Sequence, residues 1–143
     1  MPADYKAVDT VVFTDVGPRD GLQNQPKILT VDERLSLISA VAAAGVRSIE
    51  VGSFVSPKAV PAMAGTDQLV ARLPTGDGVQ YSALIPNRKG YELARDAGAG
   101  TVNMVLYASE GMAQKNVNMS IAEAEEATLQ ILALAADDGV RVV

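Results

Sequence analysis

The segment Val11-Val-Phe-Thr-Asp-Val-Gly-Pro-Arg-Asp-Gly-Leu-Gln-Asn24 joins an apolar run to a group of polar residues. The run Val11–Asp15 is too short for a helix and rich in β-branched residues, so we predict a buried strand. The residues that then interrupt regular structure are Gly17, Pro18 and Gly21. This pattern predicts a strand that ends in a polar loop, which is the usual place for a site in an α/β fold.

The composition excludes several classes of protein. The chain has 143 residues, of which 48% are hydrophobic, and a net charge of −5. This length supports one domain with a sizeable core, and the acidic balance argues against binding to nucleic acid or to a membrane surface. The sequence holds no cysteine and no histidine, so it lacks a thiol nucleophile and histidine ligands. No apolar run could span a bilayer and no signal peptide is recognisable, so we expect a cytoplasmic location.

Strands and helices alternate along the chain. Capping boxes begin predicted helices after Thr30 and Ser120, Asn87 caps a third, and a fourth is predicted from about Thr66 to Leu73. The predicted strands are Val11–Asp15, Ser48–Val51, Gln80–Ile85, Thr101–Tyr107 and Val140–Val143. The loop between the fourth strand and Ser120 is expected to hold no more than one helical turn. This alternation predicts right-handed βαβ units and a parallel sheet.

Two parallel architectures fit about five strands and four helices. One is a doubly wound sheet of flavodoxin type, and the other is the N-terminal half of a TIM (β/α)8 barrel, which needs about 250 residues in full. The half barrel is favoured because the chain stops at an apolar strand with no helix after it. It is also favoured because polar residues follow strand after strand, and a barrel gathers such residues in one mouth. These residues are Arg19, Asp20, Glu50, Ser53, Asn87, Ser109 and Glu110.

Three charged side chains are the candidates for chemistry. Asp20 offers hard oxygen ligands of the kind that Mg²⁺ or Mn²⁺ prefers, and Arg19 beside it can neutralise an anionic substrate or a developing enolate. Glu50 lies inside an apolar run, where a buried carboxylate is costly unless it is paired. The alternative for Asp20 and Arg19 is an incidental ion pair in a surface loop. The alternative for Glu50 is a solvent-exposed edge strand.

Four blocks of sequence carry a family resemblance. They are Val16-Gly-Pro-Arg-Asp-Gly-Leu-Gln-Asn24; Ile49-Glu-Val-Gly-Ser-Phe-Val-Ser-Pro-Lys58 with Val60-Pro61 and Met63; Pro86-Asn87 with Lys89-Gly90; and Lys115-Asn-Val-Asn118 with Ser120. Together they resemble the 3-hydroxy-3-methylglutaryl-CoA lyase family, metal-dependent lyases of the TIM-barrel class. Related synthases and biotin-dependent carboxyltransferases share Arg-Asp-Gly-x-Gln but lack the preceding Gly-Pro and the Ser-Phe-Val-Ser-Pro block. The resemblance is therefore specific to the lyases, and it covers nearly the whole chain.

The resemblance implies a retro-Claisen cleavage of 3-hydroxy-3-methylglutaryl-CoA to acetyl-CoA and acetoacetate, in leucine catabolism or ketone-body formation. It implies a divalent cation, Mg²⁺ or Mn²⁺, on the hydroxyl and carboxylate oxygens of the acyl-CoA substrate, with Asp20 as a metal ligand. Arg19 would stabilise the enolate of the departing acetyl-CoA, with Glu50 in the active site near it. Gln23, at the rim, and Ser53 are further substrate-binding candidates. The alternatives are a relative that acts on another branched 3-hydroxyacyl-CoA, and an inactive half barrel that only binds acyl-CoA or assembles with a partner.

The chain also departs from the family pattern. The family's other metal ligands include a His-x-His pair and an asparagine, and a histidine and a loop cysteine take part in catalysis; all lie beyond the position matching Val143. We therefore expect residues 1–143 to be the N-terminal part of a single pyruvate-carboxyltransferase-like TIM-barrel domain, truncated in strand five. A half barrel exposes two sheet edges, so we expect a homodimer through these edges if the 143 residues stand alone. We expect no lyase activity from the chain alone, because Asp20 by itself cannot hold the metal.

Overall fold

The computed structural model describes residues 11–143, and these residues build a five-stranded parallel sheet. The strands are β1 (Thr14–Asp15), β2 (Ser48–Ser53), β3 (Gln80–Ile85), β4 (Thr101–Met104) and β5 (Arg141–Val142). Their order across the sheet is the order of the chain, β1-β2-β3-β4-β5. A flavodoxin-type sheet would have the order 2-1-3-4-5. The consecutive order is that of an α/β barrel, so the predicted fold class is confirmed as a partial barrel.

Five α-helices lie within residues 11–143. They are α1 (Val31–Ala43), α2 (Thr66–Ala71), α3 (Arg88–Asp96), α4 (Glu110–Val117) and α5 (Ile121–Asp138). Both predicted capping boxes are confirmed: the hydroxyls of Thr30 and Ser120 accept from the N–H groups of Glu33 and Glu123, whose carboxylates accept in return from the cap N–H groups. None of these helices combines the length and the apolarity that a membrane crossing requires.

The first predicted strand is wrong over its first three residues. Val11, Val12 and Phe13 are 90%, 78% and 69% exposed. Pairing with β2 begins only at Thr14, which lies opposite Ser48. The residues before Thr14 therefore have no strand beside them, and their hydrophobic side chains lie in solvent.

The region after β4 also differs from the prediction. The strand ends at Met104 rather than Tyr107, because β3 ends at Ile85, the partner of Met104. The loop that follows contains the two-turn helix α4, where no more than one turn was expected. Its first turn is stabilised by Ser109, whose hydroxyl accepts from the N–H of Met112.

Side chains alternate across the sheet and give it two different faces. The apolar face packs on the helices and consists of Ile49, Val51, Ala83, Ile85 and Val102. The polar face consists of Ser48, Glu50, Ser82, Thr101 and Asn103. Four of these five polar residues are buried, so the polar face needs internal hydrogen-bond partners.

A buried arginine fixes the carboxyl end of β2. The strand has a register shift just before Gly52. Arg34 of α1 is fully buried and donates to the carbonyl oxygens of Val51 (3.2 Å) and Ala64 (3.0 Å) and to the hydroxyl of Thr66 (3.2 Å). Burial lowers the pKa of this guanidinium. A Cβ at Gly52 would lie 2.6 Å from Nη2 of Arg34, so the absence of a side chain there allows the arginine to reach the strand.

Candidate active site

The loop after β1 begins with one wide helical turn, Gly17–Gly21. The carbonyl oxygen of Val16 accepts from the N–H groups of Arg19 (3.1 Å), Asp20 (2.7 Å) and Gly21 (3.4 Å). The last of these is the i to i+5 hydrogen bond of a π turn, a feature that occurs frequently at functional sites. The turn places Arg19 and Asp20 at the carboxyl end of β1, beside the start of the polar face.

Arg19 makes the central contacts of the site. Its Nε donates to Oε1 of Glu50, and its Nη1 donates to Oδ1 of Asp20 (2.9 Å) and to Oε1 of Gln23 (3.0 Å). The side chain is 17% exposed. Within residues 11–143, Nη2 has no hydrogen-bond partner. The guanidinium is thus held through two nitrogens while the third is available to a bound anion.

Glu50 is paired through both carboxylate oxygens. Oε1 accepts from Arg19, and Oε2 accepts from Nδ2 of Asn103, which also donates to Oγ of Ser82 at 3.1 Å. Glu50 is only 4% exposed, and β2 has neighbours on both sides. The alternative of a solvent-exposed edge strand is therefore wrong. A cation and an amide supply the pairing that a buried carboxylate requires.

Asn103 is a site residue that the sequence reasoning missed. It lies between Val102 and Met104 in β4, just as Ser82 lies among apolar residues in β3. An isolated polar residue in a short apolar strand was the signal that could have identified it. Together with Arg19 and Glu50 these two residues form a continuous hydrogen-bonded chain, which we call the Arg19–Ser82 network: Arg19, Glu50, Asn103 and Ser82.

Asp20 is the described residue that best fits a bound cation. Its side chain is 65% exposed, and the contact with Arg19 uses only Oδ1, so Oδ2 is open. Both oxygens of Glu50 are already engaged by donors. Across residues 11–143, no three histidine, cysteine, aspartate or glutamate side chains converge on one point. The donor set therefore fits one coordination position of a hard divalent cation and does not form a complete site.

Ser53 and Gln23 lie at the same end of the sheet. Ser53 ends β2, is 1% exposed, and its Oγ has no hydrogen-bond partner among the described residues. Buried hydroxyls are normally paired, so this one is a candidate for contact with a ligand. Gln23 uses its Oε1 to orient Arg19. Gln23 therefore lies beside the guanidinium of Arg19.

Three of the strand-end residues have structural roles instead. Each accepts a hydrogen bond from a helix N–H: Asn87 from Gly90 (3.0 Å), Ser109 from Met112 (3.4 Å) and Glu110 from Ile121 (3.2 Å). None of them donates to or accepts from the residues around Arg19. The structure therefore brings together Arg19, Asp20, Gln23 and Glu50, with Asn103 and Ser82 added from β4 and β3.

Comparison with known proteins identifies the family. The family model described as HMGL-like matches residues 10–143. The chain belongs to the HMGL-like family. The hydroxymethylglutaryl-CoA lyase of Pseudomonas mevalonii is 47% identical to this HMGL-like chain over 135 residues, which are 94% of the chain and 45% of that protein.

Two further comparisons agree. The 3-hydroxy-3-isohexenylglutaryl-CoA/hydroxy-methylglutaryl-CoA lyase of Pseudomonas aeruginosa is 44% identical over 132 residues, which are 92% of the chain and 44% of that protein. A crystal structure of hydroxymethylglutaryl-CoA lyase from Pseudomonas aeruginosa superposes with a TM-score of 0.84 at 44% identity, covering 90% of the chain and 43% of that structure. The HMGL-like chain spans about half the length of the curated relatives it matches. The family resemblance predicted from the motifs is confirmed.

Proposed function

We propose that this HMGL-like chain supplies the enolate-stabilising part of a carbon–carbon lyase that cleaves 3-hydroxy-3-methylglutaryl-CoA to acetyl-CoA and acetoacetate. The observation that carries the proposal is the guanidinium of Arg19, which is held by Glu50, Asp20 and Gln23 while Nη2 is left available. Two relatives at 47% and 44% identity are hydroxymethylglutaryl-CoA lyases, which supports the reaction class. The proposal includes a place for the lyase in leucine degradation, the pathway that the family resemblance implies.

In the proposed reaction the bond between C2 and C3 of the acyl group breaks. The C3 hydroxyl loses its proton and becomes the ketone of acetoacetate. The electron pair of the broken bond forms the enolate of the acetyl thioester, which takes up a proton at C2. Arg19 suits this step because a fixed cation can stabilise the negative charge that develops on the thioester oxygen.

A divalent cation, Mg²⁺ or Mn²⁺, is part of the proposal, and Asp20 would hold it through the open Oδ2. When bound, it would supply Lewis-acid polarisation of the substrate oxygens. Within residues 11–143, Asp20 is not part of any group of three histidine, cysteine, aspartate or glutamate side chains that could hold a metal ion. We therefore propose that the chain alone neither retains the cation nor turns over the thioester.

Ser53 and Gln23 would contact the substrate. The buried, unpartnered hydroxyl of Ser53 can donate to an oxygen of the acyl group. Gln23 accepts from Arg19 through Oε1, so its amide nitrogen is turned away from the guanidinium and can donate to a ligand at the rim. Both groups would position the substrate beside the free Nη2 of Arg19.

A second candidate substrate is a 3-hydroxyacyl-CoA with a longer branch at C3. The relative from Pseudomonas aeruginosa carries both a 3-hydroxy-3-isohexenylglutaryl-CoA and a hydroxymethylglutaryl-CoA activity in its name, at nearly the same identity as the Pseudomonas mevalonii enzyme. Identity therefore does not choose between a short and a long branch. The ratio of kcat/KM values for the two thioesters would decide.

The test is a chimera in which this chain replaces the matching part of the Pseudomonas mevalonii lyase. With Mg²⁺ and 3-hydroxy-3-methylglutaryl-CoA we expect acetyl-CoA and acetoacetate in equal amounts. The Asp20→Asn chimera, which removes the proposed metal ligand, is the matched control and should lose most of this turnover. A chimera that folds, as judged by circular dichroism, yet cleaves neither thioester would contradict the proposal.

A homodimer and a cytoplasmic location complete the proposal. β1 pairs only with β2 and β5 only with β4, so the sheet of residues 11–143 has two unpaired edges. Hydrophobic side chains lie exposed at both edges, Val11, Val12 and Phe13 at one and Val143 at the other. Unpaired edges with exposed apolar residues favour association. Sedimentation of the purified chain should give the mass of a dimer, and a monomer at all concentrations would contradict this part.

A further inference from the structure

Asn103 is a polar residue that the proposed chemistry leaves without a role. It lies in the middle of β4, two strands away from Glu50, and its side chain reaches across β3. The two hydrogens of Nδ2 go to two different acceptors, Oε2 of Glu50 and Oγ of Ser82. The amide of Asn103 therefore bonds to Ser82 on the adjacent strand and to Glu50 one strand further on.

We infer that Asn103 is a positioning residue that fixes the carboxylate of Glu50 and, through it, the guanidinium of Arg19. This inference rests on the proposed function of Arg19. With Arg19 as its only partner, Glu50 could rotate together with the arginine as one flexible pair. The second contact at Oε2 removes that freedom, because it ties the carboxylate to a strand of the sheet. Sites held by strands are more precise than sites held by loops alone.

The amide is well suited to this role. An ionised carboxylate only accepts hydrogen bonds, so its second oxygen requires a donor. A lysine or arginine in this place would share the negative charge of Glu50 and weaken its attraction for Arg19. An aspartate would repel Glu50, and a leucine would leave Oε2 buried without a partner. The neutral donor of Asn103 satisfies Oε2 and leaves the charge of Glu50 to Arg19.

Ser82 fixes the orientation of the amide itself. Its Oγ accepts from Nδ2 of Asn103 at 3.1 Å, and the residue is buried on β3 opposite Glu50 in the parallel register. An amide held at both hydrogens cannot turn its oxygen toward Glu50. The Arg19–Ser82 network therefore runs from a strand in the sheet interior to the free Nη2 of Arg19.

The first test measures the orientation of Arg19 in the chain without any substrate. The ¹H–¹⁵N signal of Arg19 Nε, assigned by its loss in Arg19→Gln, should be protected from solvent exchange. In Asn103→Leu we expect exchange to become faster by at least about tenfold. Thr101→Val is the matched control, because Thr101 lies on the same strand and face but does not bond to Glu50. Equal protection in Asn103→Leu and the control would overturn the inference.

Two variants guard against a folding defect. Asn103→Thr replaces the amide by a hydroxyl donor on a β-branched side chain that suits a strand, and it should restore part of the protection that Asn103→Leu loses. Ser82→Ala removes only the contact that orients the amide, and it should give an intermediate exchange rate. If Asn103→Leu, Asn103→Thr and Ser82→Ala lose the protected signal and the control Thr101→Val loses it too, the effect is one of stability alone. The inference would then be wrong.

The second test uses the active chimera. Asn103→Leu should lower kcat by about 10- to 100-fold while KM changes by less than about threefold, because positioning affects the reacting geometry more than binding. A purely structural role would lower the melting temperature and leave kcat unchanged, and this result would overturn the inference while leaving the proposed function intact. An inactive wild-type chimera would count against the proposed function, and the exchange measurement would still decide the role of Asn103.

Discussion

The apolar and polar faces of the sheet come from alternate residues of the same strands, yet they are held in different ways. On the apolar face, Ile85 and Val102 pack with Tyr91 and Ile131 of the helices. On the polar face, the carboxylate of Glu50 is held by hydrogen bonds from the guanidinium of Arg19 and the amide of Asn103. Because different interactions hold the two faces, we expect stability and the proposed activity to be separable in this chain. A substitution on one face should change mainly one of the two properties.

Truncation of Ile85 on the apolar face should give the largest effect, and the effect should be on stability. Ile85 is fully buried in the larger hydrophobic cluster. We expect Ile85→Ala to lower the free energy of unfolding by about 2–5 kcal/mol. The substitution removes buried apolar atoms and leaves a cavity whose lining loses packing contacts. Urea denaturation followed by circular dichroism measures this. Leu129→Ala, at a residue that is 60% exposed, is the control and should change stability by less than about 0.5 kcal/mol.

Substitution of Arg19 on the polar face should reduce activity instead. In the active chimera we expect Arg19→Gln to lower kcat/KM by about 10²- to 10³-fold, the usual value of a preorganised donor at a developing negative charge. The glutamine amide can still donate to Glu50, so the loss of stability should be smaller than for Ile85→Ala. Arg72→Gln, which removes a surface arginine paired with Asp32, should leave kcat/KM unchanged. A decrease below about tenfold, or roughly 1.4 kcal/mol, would rule out the enolate role.

Gly52 lies in β2 beside the buried Arg34, and its substitution should change stability. A Cβ there would lie 2.6 Å from Nη2 of Arg34 and 2.8 Å from Oγ1 of Thr66. We expect Gly52→Ala to cost about 1–3 kcal/mol of stability, because the guanidinium is buried and would have to break hydrogen bonds to Val51, Ala64 or Thr66 to move away. Gly100→Ala is the matched control, since its Cβ would meet nothing within 4 Å. Equal melting temperatures for the two variants would mean that the arginine is not held as tightly as described.

The smallest effect should come from the solvent-exposed capping box at the N-terminus of α5. The N–H and hydroxyl of Ser120 donate to Glu123 and lower the pKa of that carboxyl below its ordinary value of 4.5. A lowered pKa in the folded state stabilises the protein above pH 4.5, and this contribution disappears as the pH falls through the folded value. Glu123→Gln should therefore be less stable than the wild type at neutral pH, with the difference shrinking in acid. A difference in the urea midpoint that is constant from neutral to acid pH would contradict this.

Local features were predictable from the sequence because they depend on neighbouring residues. The capping boxes at Thr30 and Ser120 and the glycine after α5 depend on hydrogen bonds and backbone angles within one turn. Glu50 was identifiable because a carboxylate in an apolar run requires a partner. The order of the strands was not decided by the pattern, since doubly wound sheets and barrels both alternate strands and helices.

Features that depend on distant partners were missed. Val11, Val12 and Phe13 have the composition of a strand but no strand beside them. Asn103 lies 53 positions from Glu50, and nothing local indicates that the two meet. Arg34 occupies a helix position whose buried partners, the carbonyl oxygens of Val51 and Ala64, carry no sequence signal. Side-chain types therefore identify Arg19, Asp20 and Glu50 as candidates, while the residues that hold them in place are found only from the fold.

The most direct test of the central claim, that Arg19 and Glu50 act as one unit, is a double-mutant cycle on kcat/KM in the active chimera. The single variants are Arg19→Gln and Glu50→Gln, and the double variant combines them. If the two side chains act together, kcat/KM of the double variant should lie within about threefold of that of the less active single variant. The reason is that the first substitution already abolishes the contribution that the pair makes together. A double variant whose loss equals the product of the two single losses would show that the residues act independently and would contradict the account.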